Sequence, residues 1–440
     1  MRVAALVVVG LATLPAAAGA AAGERKTLAE CIELALAQQP TLRAADASIT
    51  AARERVWQSA AAYLPQVSGN YSASRRRSPN GSTTSDGTVT VGGRPGAGGV
   101  QREFSFYSGG VSLSQVLFDF GQNLALIHRQ QALEDSVAAD AVTQRDAVVF
   151  DVSQAYFALL AAYRLRDVAD ETVRQNHQHL DVAQGRYDVG FAPRFDVTAA
   201  QVQLANAELS QVTARNNVTL GRETLRHAVG LSGPLDFDIV DVLDAPRAKV
   251  DDETAVQTAY DNRPELKSNA AQQRAATKQI AALQKDYLPK VGGTATYTKS
   301  GREEPSDESW NVGAQVSLSI FNGGLTTAQI GEARANLAVL EANYESIRQN
   351  VVLEVRQALA NVEQGVESIR VAEKGSRQAR ENLELAEGRY STGAGSIIEL
   401  TDAQTSLASA DANRVQALVN YRIAVATLER ATAQPLDVTP

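Results

Sequence analysis

Few side chains in this sequence are spaced to do chemistry. Its histidines are His128, His177, His179 and His227. The close pair, His177 and His179, stands two apart in a helical stretch and so faces two directions. No His-Glu-x-x-His or other metal-ligand spacing is present, and the histidines read as solvated helix-face residues. Cys31 is the single cysteine, which excludes an intrachain disulfide and a thiolate cluster. It reads as a small core residue rather than a nucleophile. The glycines at 96–99 open no helix and the chain holds no Gly-Lys dipeptide, so they are no phosphate loop. No converging set of acid, base and nucleophile emerges, and the expectation is a protein that is not an enzyme and needs no cofactor or metal. The carboxylates Glu399 and Asp402, three apart and therefore on one helix face, read either as ordinary exposed helix carboxylates or as the lining of a constriction. In a ring at a constriction such groups favour cations over anions.

The elements that would position them come from a duplication. Gly185-Arg186-Tyr187-x-x-Gly190 returns as Gly388-Arg389-Tyr390-x-x-Gly393, 203 positions on, and Ala200-Gln201 returns as Ala403-Gln404. Tyr63-Leu64-Pro65-Gln66-Val67 returns as Tyr287-Leu288-Pro289-Lys290-Val291 at offset 224. A repeat of this length speaks for architecture first. Each glycine-bearing stretch lies between two helical patterns, as in a tight turn joining antiparallel helices. The formal charge of −8 gives no support for nucleic-acid binding.

In chain order, residues 1–20 read as a secretory leader: Arg2, an apolar run, then Ala18-Gly19-Ala20. No later stretch offers about 18 consecutive apolar residues, so no transmembrane helix is expected. The first repeat, 21–230, has strands at about 63–77 and 104–118 around a loop 78–103, a long helix 122–184, a turn 185–196 and a helix 197–229. A connector, 231–251, follows. The second repeat, 252–433, has strands at about 287–299 and 309–321, a long helix 325–389, a turn 388–398 and a helix 399–431, before a tail 434–440. The helices of each repeat, bundled antiparallel, would make a column on the order of 100 Å long.

The strands alternate with period 2. Val67, Gly69, Tyr71 and Ala73 oppose Ser68, Asn70, Ser72 and Ser74; Trp310, Val312, Ala314 and Val316 oppose Asn311, Gly313, Gln315 and Ser317. Apolar-out, polar-in strands of this length suit a transmembrane β-barrel. Aromatic residues cluster at both ends, with Tyr63, Phe118, Phe120, Tyr287 and Phe321 at one and Phe104, Phe106 and Trp310 at the other, as interfacial girdles do. Four strands cannot close, and lipid does not tolerate an open edge. Two copies would give a barrel filled by side chains; three would give twelve strands with room for a pore. Arg75-Arg76-Arg77 suits either lipid phosphates or a solvated loop margin.

The doubled Tyr-Leu-Pro-x-Val, the joints Leu117-Phe118-x-x-Gly121 and Ile320-Phe321-x-x-Gly324, and both Gly-Arg-Tyr-x-x-Gly turns resemble TolC-like outer-membrane efflux proteins. The resemblance covers the chain from Thr27 to about Ala433. It implies a mixed α/β membrane protein: a homotrimer with a twelve-stranded barrel in the outer membrane of a Gram-negative bacterium, continued by a periplasmic α-helical barrel closed at its tip. It implies an exit duct for efflux or type I secretion, docked by a periplasmic adaptor and powered by a proton-driven or ATP-driven inner-membrane transporter. The turns at Gly185, Arg186, Tyr187, Gly190, Gly388, Arg389 and Gly393 fall at that tip, where the adaptor docks. Glu399 and Asp402 fall where the family places acidic rings, and Tyr390 and Asp196 where a hydrogen-bond network holds the tip shut. Gly395 stands where some relatives have an arginine of that network, and Phe195 where they have a hydroxyl. The rival reading is an exported coiled-coil scaffold without a pore; the four strands discriminate, since a scaffold needs no lipid-facing girdles. The neutral Ser, Thr, Asn and Gln of the polar strand faces do not select a substrate.

Overall fold

The computed structural model describes residues 25–78, 102–243, 252–302 and 304–434. The leader, the body of the loop 78–103, the end of the connector and the tail lie outside them. In chain order the elements are β1 (Arg25–Lys26), α1 (Leu28–Gln38), α2 (Pro40–Ala60), β2 (Gln66–Ser78), β3 (Arg102–Phe118), α3 (Gln122–Asp188) and α4 (Arg194–Val229). They continue with β4 (Asp238–Ile239), α5 (Asp252–Asn262), α6 (Pro264–Gln284), β5 (Lys290–Gly301), β6 (Asp307–Ser317), α7 (Leu325–Ser391) and α8 (Ile397–Thr432). The duplication is visible in the lengths. α1 and α5 have 11 residues each, α2 and α6 have 21, α3 and α7 have 67, and α4 and α8 have 36.

Two compact units result, and each takes segments from both repeats. One comprises residues 1–44, 142–263 and 349–440; the other comprises 45–141 and 264–348.

The first unit is built on a core of Cys31, Val152, Tyr156, Leu159, Leu225, Val229 and Val419. Its helices begin and end where local chemistry dictates. Thr27 and Glu30 form a capping box on α1. α4 ends at Gly230 (φ 82°), where a Cβ would stand 2.9 Å from the Cα of Gln39. The Tyr156 hydroxyl donates to the Val240 and Lys26 carbonyls, tying together the parallel pair β1 and β4. Among the described helices, α3 alone is long and apolar enough in composition to cross a membrane. Val148, Val152, Tyr156, Leu159 and Leu160 on it are buried in this core, which accounts for that apolarity.

The second unit carries the four-stranded antiparallel sheet, in the order β2-β3-β5-β6. Directly opposed residues share a face, so the register decides what each face contains. One row reads Val67–Leu113–Ala295–Val312 and the next reads Ser68–Ser112–Thr296–Asn311. The apolar face is uncovered: Val67, Tyr71, Trp310, Val312 and Val316 are all exposed. β2 and β6 form the outer edges. The strand β3 reaches α3 through Phe120 (φ 54°) and Gly121 (φ 75°). There the buried Asp119 accepts from the N–H groups of Gly121 and Asn123 at 2.9 and 2.8 Å and caps the long helix.

The elements differ from the sequence reading at the glycines. Gly185 and Gly388, read as turn residues, are helical, and α3 and α7 run on to Asp188 and Ser391. A glycine inside a helix costs only about 1 kcal/mol, and left-handed backbone is needed only at Gly190 (φ 78°) and Gly393 (φ 80°). Strand β6 likewise stops at Ser317, short of Phe321, and β2 begins at Gln66 after a turn of 3-10 helix at Ala61–Tyr63.

Candidate functional site

The two helical turns fold by one rule. In the first, the Gly190 N–H donates to the Tyr187 carbonyl at 2.9 Å and the Phe191 N–H to the Arg186 carbonyl at 2.8 Å. In the second, Gly393 donates to Tyr390 at 3.0 Å and Ala394 to Arg389 at 2.9 Å. These are paired Schellman bonds, which satisfy the last helix carbonyls and require positive φ at the glycine. The return helices start differently. Pro193 precedes α4, whereas the Ser396 hydroxyl accepts from the Glu399 N–H at 3.2 Å to cap α8.

The turns are joined by Tyr390. Its ring is 4% exposed, packed with Leu383, Ala386, Ile397 and Leu400. Its hydroxyl donates to a carboxylate oxygen of Asp196 at 3.3 Å. The Arg186 guanidinium lies 4.8 Å from the ring centroid and also donates to the Tyr390 carbonyl. The second hairpin is thus gripped by a cation and an anion of the first. Burial, followed by the Asp196 carboxylate, raises the Tyr390 pKa above the ordinary phenol value, so the hydroxyl remains a donor. The counterpart Tyr187 is 42% exposed, so the duplicated motif has diverged in use.

Of the sequence-predicted residues, Tyr390 and Asp196 meet as expected. Glu399 does not join them. Its carboxylate pairs with Arg389 at 3.3 Å, half-exposed, and Asp402 is exposed one turn further along α8. Gly395 has a steric cause: a Cβ there would stand 2.9 Å from that of Arg389 and 3.1 Å from the Tyr390 nitrogen. An arginine cannot occupy that position in this conformation, and Arg186 supplies the guanidinium instead. Phe195 is 60% exposed and contributes no hydroxyl. The grip of Arg186 was not legible, because its motif twin Arg389 stays within its own hairpin. His179 also departs from the solvated reading. Its side chain is 16% exposed beside Glu387 at 3.5 Å, whereas that of His177 is 57% exposed.

The family model for outer membrane efflux proteins matches residues 31–231 and 255–434. The chain belongs to that family. Outer membrane protein TolC of Escherichia coli K12 is 25% identical over 421 residues, covering 91% of this chain and 80% of that protein. Its Vibrio cholerae namesake is 25% identical over 420 residues, covering 92% and 90%. Among solved structures, open-state MtrE of Neisseria gonorrhoeae superposes with a TM-score of 0.75 at 20% identity, over 93% of this chain and 89% of that one. VceC of Vibrio cholerae gives 0.75 at 18%, over 92% and 96%. This outer-membrane efflux protein is the exit channel of a tripartite efflux system, and its family is one of channels rather than enzymes.

Proposed function

We propose that three copies close a twelve-stranded barrel from their four-stranded sheets, and that the turns of the long helices form its periplasmic gate. The observation that carries this is the sheet itself. It has two outer edges and an uncovered apolar face opposite a Ser/Thr/Asn face. In lipid such a sheet is stable only in a closed ring, which satisfies its edge N–H and C=O groups.

In the trimer the Tyr390–Asp196–Arg186 contact holds each tip hairpin inward, and Glu399 and Asp402 of the copies line the aperture. A periplasmic adaptor docks on the turns around Gly185–Gly190 and Gly388–Gly393, and an inner-membrane transporter supplies the energy. Exposed carboxylates on one helix face support the aperture reading, because rings of such groups in a constriction select cations. The closed pore is therefore cation-selective, with small conductance blocked by multivalent cations. Planar-bilayer recording in a salt gradient tests it. The Glu399→Ala/Asp402→Ala channel should lose selectivity and block while still assembling. An unchanged reversal potential would remove these residues from the aperture.

A further inference from the structure

Both long helices are entered through one backbone turn. In the first repeat the Gln122 N–H donates to the Asp119 carbonyl at 3.1 Å and the Ala125 N–H to the Gly121 carbonyl at 3.0 Å. In the second, 203 positions on, Leu325 donates to Asn322 at 3.3 Å and Ala328 to Gly324 at 3.0 Å. Left-handed backbone recurs too, at Phe120 (φ 54°) and Gly121 (φ 75°), and at Gly323 (φ 69°) and Gly324 (φ 84°). The backbone is common to the repeats, but two side chains are not. Asp119-Phe120 in one is Asn322-Gly323 in the other.

That exchange creates the dipeptide in which an asparagine side chain most easily reacts with its own backbone. The nitrogen of the following residue must reach the side-chain carbonyl carbon, and a side chain on that residue stands in the way. Glycine removes the obstacle and gives the backbone the freedom that the attack needs. Asn322-Gly323 is the only Asn-Gly pair among the described residues; Asn80-Gly81 lies outside them.

We propose that Asn322 is a site of spontaneous deamidation, which turns the neutral joint before α7 into an acidic one of the kind that precedes α3. The Gly323 nitrogen gives its proton to solvent and attacks Cγ of Asn322. A C–N bond forms, the bond from Cγ to Nδ2 breaks, and the leaving NH2 group regains a proton and departs as ammonia. The five-membered imide then takes up one water. Opening of the new C–N bond yields aspartate, and opening of the original peptide bond yields isoaspartate. One water is consumed and one ammonia released; no other reactant takes part. The reaction needs only this chain and water, so the proposal is independent of the assembly proposed above.

Three observations support this position. First, the pair lies outside regular structure, between the end of β6 at Ser317 and the start of α7 at Leu325, and both residues are exposed. Second, the nucleophile is unoccupied. The Gly323 N–H makes no hydrogen bond among the described residues, and a Cβ built on Gly323 meets no atom within 4 Å. Third, the electrophile is open. Among the described residues the Asn322 side chain makes one hydrogen bond, from Nδ2 to the Thr326 hydroxyl at 2.7 Å, and its Oδ1 accepts none.

Asp119 shows what the acid product does in this turn. Its oxygens accept from the N–H groups of Gly121 and Asn123, whose counterparts are Gly324 and Thr326. A carboxylate offers two acceptors to these donors and a charge that the start of a helix favours. Aspartate at position 322 thus completes on α7 the cap that α3 already has. Isoaspartate instead lengthens the joint by one backbone carbon.

The test is peptide mapping by mass spectrometry on the full-length protein, held in outer-membrane fragments at pH 8.5 and at pH 6. Trypsin releases residues 303–334, which carry both Asn322 and Asn311, the latter fixed in β6 opposite Thr296. The amide-to-acid mass gain should accumulate on Asn322 and not on Asn311. It should grow several-fold faster at pH 8.5, because the attacking nitrogen must lose its proton. In water enriched in heavy oxygen, one labelled atom should enter per conversion. Gly323→Phe, which places there the residue that Phe120 supplies at a similar φ in the first repeat, should abolish the gain while the protein still folds. Asn322→Asp, which carries the product from the start, should melt above wild type. Asn322 left intact, under conditions that convert a synthetic peptide of residues 318–328, would overturn the proposal. Equal conversion in Gly323→Phe would overturn the route through the Gly323 nitrogen, and a lower melting point for Asn322→Asp would overturn the cap.

Discussion

Tyr390 and His179 carry the most specific consequences at the scale of single residues. Replacing Tyr390 with Phe keeps the buried ring and removes only the hydrogen bond to Asp196. Such a bond contributes about 1 kcal/mol, a factor of about five in the closed-to-open ratio. Tyr390→Phe should therefore raise channel open probability about fivefold in bilayer recordings. Arg186→Ala, which loses the ring contact and the bond to the Tyr390 carbonyl together, should raise it further. Unaltered closed-state conductance in both variants would exclude this contact as a latch. His179 is governed by pH. Burial holds its pKa below the ordinary imidazole value, with Glu387 opposing. A group depressed in the folded state favours folding above its unfolded pKa, about 6.5. That contribution is lost as pH falls through the folded pKa. Thermal melts followed by circular dichroism should show His179→Gln losing less stability than wild type between pH 7 and pH 5. Parallel slopes would mean that His179 titrates as it does in the unfolded chain.

Among the elements, the sheet was the most legible and the turns the least. Alternation identified both faces of the strands in their middle, because a period of two admits no intermediate orientation, and the observed register keeps the row Ser68–Ser112–Thr296–Asn311 polar; towards the loop end Ser74 opposes Phe106 and Arg76 opposes Phe104. This gives a parity test on adjacent residues in mid-strand. In the proposed barrel Ala295→Arg would face lipid and should cost about 2–4 kcal/mol near the midplane. Thr296→Arg, in the row with Ser112 and Asn311, should fold normally. Heat-resistant assembly on gels reports the difference, and the reverse order would place the register one residue out. Helix ends were harder to read, since glycine is a weak signal when long helices pack along their length. Gly365 illustrates the point: it lies inside α7, where a Cβ would stand 3.1 Å from the Cα of Tyr421 on α8. There glycine serves helix contact, not termination. Only the two glycines with positive φ end a helix at the tip.

For the whole molecule, the duplication was readable from two constant offsets, but the partition into compact units was not. Each unit draws on both repeats, because the chain crosses from one to the other and back. The core that gathers Cys31, Tyr156, Leu225 and Val419 leaves no local trace in a sequence. That crossing also governs the inner seam of the sheet, where Val111 pairs with Tyr297, 186 positions later. A ribosome adding about 5–20 residues per second completes β3 about 10–40 s before it completes β5. Through that interval the first hairpin has two unpaired edges and an uncovered apolar face, the condition in which strands aggregate. The order of the two repeats along the chain thus imposes a waiting time on biogenesis, during which the β3 edge stays without the strand it pairs with in the finished sheet.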